Sequence, residues 1–220
     1  QDLAGGARGM LSIAASGPLC DGYVAKAVAT FVAARPGIKV SLRALASPAV
    51  LDRVISREVD LGVVYEPVAT AAVRAEEVLR APIGCILPAR HPLARRAKIR
   101  LPDLVPYPIV TYLPQALLRP AVERAFGLAE APLQIAVETG TSATGMMLAY
   151  HGAGVALMET ALFASRPVPG LVARPIEPRI ELRALLLRPR QAASSRVVDA
   201  FVSHLRGTLP KTVRPTAPSE

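Results

Sequence analysis

Arg35-Pro36-Gly37 followed by Ile38–Leu42, and then Asp60-Leu61-Gly62-Val63-Val64, constrains this chain more than any other stretch. Pro-Gly stops whatever helix precedes it, and a short β-branched run opens on each side of one helix-length segment. Upstream, Val24, Ala27, Val28, Phe31 and Val32 fall at i, i+3, i+4, i+7 and i+8, one apolar face of a helix over Tyr23–Ala34. Ser47 reads as the N-cap of the intervening helix, with Pro48 at its first position and Val50, Leu51, Val54 and Ile55 inward. Leu61–Tyr65 is continuously apolar, as a strand covered on both faces would be. The beat is βαβαβ, so the chain is an α/β protein.

The same alternation continues. Met10–Ala15 reads as the first strand, broken by Ser16-Gly17-Pro18. Val78–Leu87, Pro108–Tyr112, Leu133–Glu138 and Val155–Met158 are further strands. Leu117–Phe126, stopped by Gly127, and a segment capped by Thr141 or Ser142 and running to about His151 are helices. Leu171–Pro175 and Ile180–Arg188 are extended. Ser194 or Ser195 caps a last helix with Val197, Val198, Phe201, Val202 and Leu205 inward. The repeat is architectural, one βαβ-rich half near 10–80 and another near 84–175.

At 220 residues and a mean hydropathy of +0.35, the chain buries a real core as one domain or two lobes. No apolar run reaches the roughly 18 residues that cross a bilayer, and no secretory leader is expected. Two cysteines, Cys20 and Cys85, make no disulfide framework and suit a reducing cytoplasm as inert thiols. The net charge of +9 is mostly scattered arginine, and its one dense group is Arg90–Arg100. With 4% aromatics there is no stacking platform for single strands.

No constellation for catalysis is written here, so the chain is not expected to be an enzyme. Gly140–Gly145 lacks the lysine of a phosphate loop, and Gly152-Ala153-Gly154 lacks the third glycine of a dinucleotide fingerprint, with Leu157 in its place. His91, His151 and His204 have no metal-ligand spacing. No nucleophile elbow occurs. Neither metal nor cofactor is expected. In an open α/β sheet, ligands bind beyond the carboxyl ends of strands, where helix starts present N–H groups. That rule selects Ser16, Gly17 and Pro18; Ser47 and Pro48; Tyr65 and Glu66; Thr111 and Tyr112; and Thr139, Thr141 and Ser142. Hydroxyls and helix N–H groups suit a carboxylate, and Glu66, ahead of Glu138, suits an amine. A zwitterionic, amino-acid-like ligand fits both, although each Ser or Thr also serves as an ordinary cap.

Several phrases resemble the effector-binding domain of LysR-type transcriptional regulators: the helix ending in Phe31…Arg35-Pro36-Gly37, the strand opened by Asp60-Leu61-Gly62, Leu87-Pro88 with His91-Pro92-Leu93-Ala94, and Glu138 through Gly152–Leu157. The resemblance covers about Gly9 to Arg206. It implies the type 2 periplasmic-binding-protein fold: two Rossmann-like lobes joined by two crossover strands, with a small-molecule effector between them whose binding alters the lobes' relative angle. Lobe I would take 9–80 plus 180–206 and lobe II 81–179, with 207–220 a disordered tail. It further implies a homodimer, a higher oligomer in the parent protein, and DNA contact only through an N-terminal winged helix-turn-helix absent from this chain. Ser12–Ser16, and Thr141–Thr144 with Gly152–Leu157, look like regulators that respond to opines or amino acids. The rival expectation is a transporter's solute-binding protein of the same fold.

Overall fold

A computed structural model describes residues 9–191, 195–210 and 212. The described residues divide into two compact units, one of 9–80 with 183–191 and 195–210 and the other of 81–182 with 212. It passes from one unit to the other within two strands, β4 (Val73–Pro88) and β10 (Glu181–Pro189).

In the first unit β1 (Gly9–Ser16) lies parallel between β2 (Ile38–Leu45) and β3 (Leu61–Tyr65). Residues 184–187 of β10 run antiparallel to β3. β3 is buried along its whole length, which is why its sequence is continuously apolar. Helix α3 (Ser47–Ile55) packs on it through Val50 and Val54, in a cluster with Ala14, Val59, Val64, Val73 and Leu187. Gly62 permits that approach: a Cβ there would stand 2.7 Å from Val54 Cγ2. Helix α2 (Ala25–Ala33) packs on α7 (Arg196–Thr208), where Phe31 and Phe201 meet edge to face at 5.2 Å.

In the second unit the strand order is β5 (Ile99–Arg100), β9 (Leu171–Glu177), β4, β8 (Val155–Glu159), β6 (Ile109–Tyr112), β7 (Ile135–Thr139). β6 runs parallel to β7 and β8, and β4 runs antiparallel to β8 and β9. Helices α4 (Arg119–Leu128), α5 (Ser142–Tyr150) and α6 (Ala161–Ser165) connect them. Gly154, at φ +146°, passes against Pro108, whose carbonyl oxygen would be 2.2 Å from any Cβ.

Several local expectations differ from this. Ser16-Gly17-Pro18 ends the first strand as expected, but the helix does not wait until Tyr23. Helix α1 (Gly17–Leu19) begins at once, and a π turn (Cys20–Val24) carries it into α2. Proline at a helix start costs nothing, because the N–H it lacks has no partner in the first turn. Ala46, not Ser47, is the N-cap of α3, so Ser47 and Pro48 are its first two residues. Helix α4 runs through Gly127 to Leu128, and α6 was not anticipated. β4 starts at Val73, five residues before Val78. Helix α7 extends to Thr208, with Ser195 as N-cap; Ser194 and most of the tail from Lys211 lie outside the described residues.

Candidate functional site

The parallel register of β1, β2 and β3 puts their carboxyl ends on one edge of the first unit: Ser16 pairs with Leu45, and Ala15 with Val63. Seven of the selected residues follow from that edge. Ser16 closes β1 in extended conformation, and Gly17 and Pro18 open α1. Ser47 and Pro48 open α3, whose start has no side-chain cap. Tyr65, buried, ends β3, and Glu66 follows it. The Ser16 side chain is buried, only 6% exposed, yet its Oγ has no hydrogen-bond partner. A buried hydroxyl left unpaired costs roughly 1–3 kcal/mol, so its retention calls for a reason. Glu66 accepts from Arg183 Nε at 2.7 Å, and this partner holds its carboxyl below the ordinary value. A ligand amine at Glu66 would therefore share the carboxylate with Arg183.

The second unit brings Thr111, Tyr112, Thr139, Thr141 and Ser142 to the carboxyl ends of β6 and β7, where Thr111 pairs with Glu138 and Tyr112 with Thr139. Most of these polar groups are already engaged. Thr111 Oγ1 donates to the Leu157 carbonyl at 3.1 Å. The Glu159 N–H donates to the Tyr112 hydroxyl oxygen at 2.6 Å. Burial, and then the Glu159 charge, push that phenol's pKa far up, so it stays protonated. Thr141 caps α5, its Oγ1 accepting from Thr144 N–H at 3.1 Å and donating to Thr144 Oγ1 at 2.8 Å. Ser142 is 1% exposed. Its hydroxyl acts on the Tyr112 phenol, opposing part of the rise in that pKa, yet its Oγ remains unsatisfied.

Three further residues matter here and belong to no motif, Arg119 and Glu159 in the second unit and Arg183 in the first. Arg119, buried at the start of α4, donates through Nη1 to the Tyr112 carbonyl at 2.6 Å and to Glu138 at 2.7 Å, and through Nε to Glu123 at 2.8 Å. Glu138 is thus ion-paired, as its strand-end position allowed. Glu159, fully buried, accepts from Ala161 N–H at 2.7 Å and holds the start of α6. Arg183 is the third; the outward-facing Glu181–Arg183 alternation was its only signal.

Cys20 and Cys85 are both buried. Burial, and then Asp21, push Cys20 up to about 11, and burial pushes Cys85 higher still. Neither is a thiolate at neutral pH, which is the state oxidant sensing needs. Among the described residues no group of three His, Cys, Asp or Glu is placed to hold a metal ion. No helix among them is long and apolar enough to cross a membrane.

Parallel strand ends followed by helix starts, present in each α/β unit, are where open α/β sheets take ligands. Comparison with known proteins gives the family. The LysR substrate binding domain family model matches residues 4–210, and the chain belongs to that family. The transcriptional activator protein LysR of Escherichia coli (strain K12) is 24% identical over 206 residues, 94% of this chain and 66% of that protein. The regulatory domain of CcmR from Synechocystis PCC6803, solved in complex with 2-PG, superposes with a TM-score of 0.80 at 21% identity, covering 93% of this chain and all of that one. The cofactor-binding domain of the Cbl transcriptional regulator gives a TM-score of 0.83 at 16% identity, covering 96% and 93%. The fold is therefore the type 2 periplasmic-binding-protein fold, and the sequence relatives are transcriptional regulators, not enzymes.

Proposed function

We propose that this chain is the effector-sensing domain of a cytoplasmic LysR-type transcription factor, taking a small amino-acid- or opine-like metabolite. Residues 9–80 with 180–206, and 81–179, are read as its two lobes. The observation that carries the reading is Ser16: a buried, unpaired hydroxyl at a strand end, directly before a helix start, in a member of this family. Ser16, Gly17, Pro18, Ser47, Pro48, Tyr65 and Glu66 are the determinants read from the first unit, and Thr111, Tyr112, Thr139, Thr141 and Ser142 those from the second. A ligand carboxylate would accept a hydrogen bond from the Ser16 hydroxyl, and Glu66 would accept one from a ligand ammonium. The similarity of the CcmR regulatory domain, solved in complex with 2-PG, agrees with a bound effector. The domain is read as a homodimer, part of a higher oligomer in the parent protein, which contacts promoter DNA through a separate reader domain. The regulator relatives favour this over a transporter's binding protein.

To throw such a switch from one state to the other, a ligand must prefer one by about 10⁴-fold, or about 5.5 kcal/mol. A micromolar effector has about 8.2 kcal/mol in all, so most of its contacts must be state-selective. A thermal-shift screen of amino acids, opines and small carboxylic acids, followed by calorimetry, tests the reading. The expected result is a hit whose affinity falls at least about tenfold in Ser16→Ala while the melting temperature without ligand is unchanged or higher. An unaltered isotherm in that variant removes Ser16 from the site, and turnover of the bound compound would overturn the assignment.

A further inference from the structure

Residues 81–182 carry ten Lys and Arg against seven Asp and Glu, and five of those ten, with no acid among them, lie between Arg90 and Arg100. Outside that segment the unit is slightly acidic, so its whole positive surplus is in one place. Arg90, Arg95, Arg96, Lys98 and Arg100 are all exposed, and the residues between them hold the segment down. Leu93, Ala94, Ile99 and Leu101 are buried. Arg174 Nε donates to the Ala94 carbonyl at 2.8 Å, and Ile99 and Arg100 pair with β9. The result is a fixed row of cations on an anchored loop.

Two carboxylates partly neutralise it: Asp103 pairs with Arg96, and Glu177 with Lys98 and Arg100. Among the described residues Arg90 and Arg95 have no ion pair. Five cations crowded into one short stretch repel one another, and a bound polyanion relieves that repulsion.

We propose that the Arg90–Arg100 face is a docking surface for the phosphate backbone of duplex DNA, a contact the sequence reading did not assign to this chain. Four of the five cations are arginine, whose planar fork pairs with phosphate oxygens in two-point fashion. None of the large exposed apolar side chains lies in this segment, so it lacks the apolar anchor a protein interface needs. Tyr107 lies against the segment's His91, ring centroids 4.5 Å apart and tilted at 60°, so that ring face is already occupied and is no platform for unpaired bases. The contact is electrostatic and blind to sequence, and it would add to the reader domain's recognition.

Fluorescence anisotropy of a labelled random-sequence 20-bp duplex with the 220-residue chain tests this. Engaging about three phosphates should give log K falling with log [NaCl] at a slope of about −3. Arg90→Gln with Arg95→Gln should lower the magnitude of that slope by about 2 and weaken binding at least tenfold at about 50 mM salt. Arg124→Gln with Arg166→Gln removes equal charge from exposed positions elsewhere in the unit and should change little. Equal losses in both variants would mean net charge alone, and overturn the proposal. So would no duplex binding at low salt, or tighter binding of poly-glutamate than of the duplex, which marks an acidic protein as the occupant.

Discussion

The strand-end groups of the two units mostly use the same residue types in opposite ways, Ser142 in the second excepted, since its Oγ is as unsatisfied as that of Ser16. In the second, Thr111, Tyr112 and Thr141 have committed hydrogen-bonding capacity to Leu157, Glu159 and Thr144, and Arg119 ties the end of β6 to Glu138. In the first, Ser16 engages nothing and α3 starts without a side-chain cap. A wired strand end is a scaffold. An unwired one keeps capacity in reserve for something that arrives later. The contrast separates hydroxyls that a stability measurement will find from two, Ser16 and Ser142, that only a binding measurement will find.

Three measurements would break or sharpen it, beginning with the largest effect. Arg119→Met removes the link between β6 and β7 and strands Glu138, whose side chain is 35% exposed. The expected loss is about 3 kcal/mol in urea unfolding, the lower end for a broken buried pair. A loss under about 1 kcal/mol would mean the second unit is not wired as described. Tyr112→Phe leaves the Glu159 N–H buried without its acceptor, for about 1–3 kcal/mol. If stability instead holds and effector affinity collapses, Tyr112 belongs with Ser16 and the contrast between units is gone. The smallest effect is at Glu66. Its folded pKa lies below the unfolded value of about 4.3, so the Arg183 pair stabilises the native state above that pH. The contribution is lost as pH falls through the folded pKa. The gap in urea midpoint between wild type and Glu66→Gln should be small at neutrality, since the pair is partly exposed, and close in acid. A gap that widens on acidification would contradict the sign.

The first unit's alternation was legible because Pro36-Gly37 and the buried run Leu61–Tyr65 encode it locally, each within a few residues. Helix starts were less so. Ser47 looked like a cap because serine caps helices, but backbone geometry gives that place to Ala46. Gly127 looked like a stop, yet its position in α4 has open space and a helical fit, so the chain runs past it by one residue. The five residues of α6 are too few to show a period. The site's chemistry was legible as residue types and not as partners. Glu66 and Arg183 are 117 residues apart, and Arg119 and Glu138 are joined only by the fold. Whether a hydroxyl is free or spent depends on such long-range partners, and composition does not carry that information.

The π turn at Cys20–Val24, where Ala25 N–H reaches back to the Cys20 carbonyl, gives the helix behind Ser16 one supernumerary residue. Winding the same residues as regular α-helix, without the wide turn, would swing everything upstream by nearly one residue step, about 100°, about the axis. Gly17 and Pro18 would then point elsewhere while α2 kept its seat on α7. The surplus residue thus acts as an indexing tooth, setting the aim of the strand tip separately from the packing of the rod that carries it.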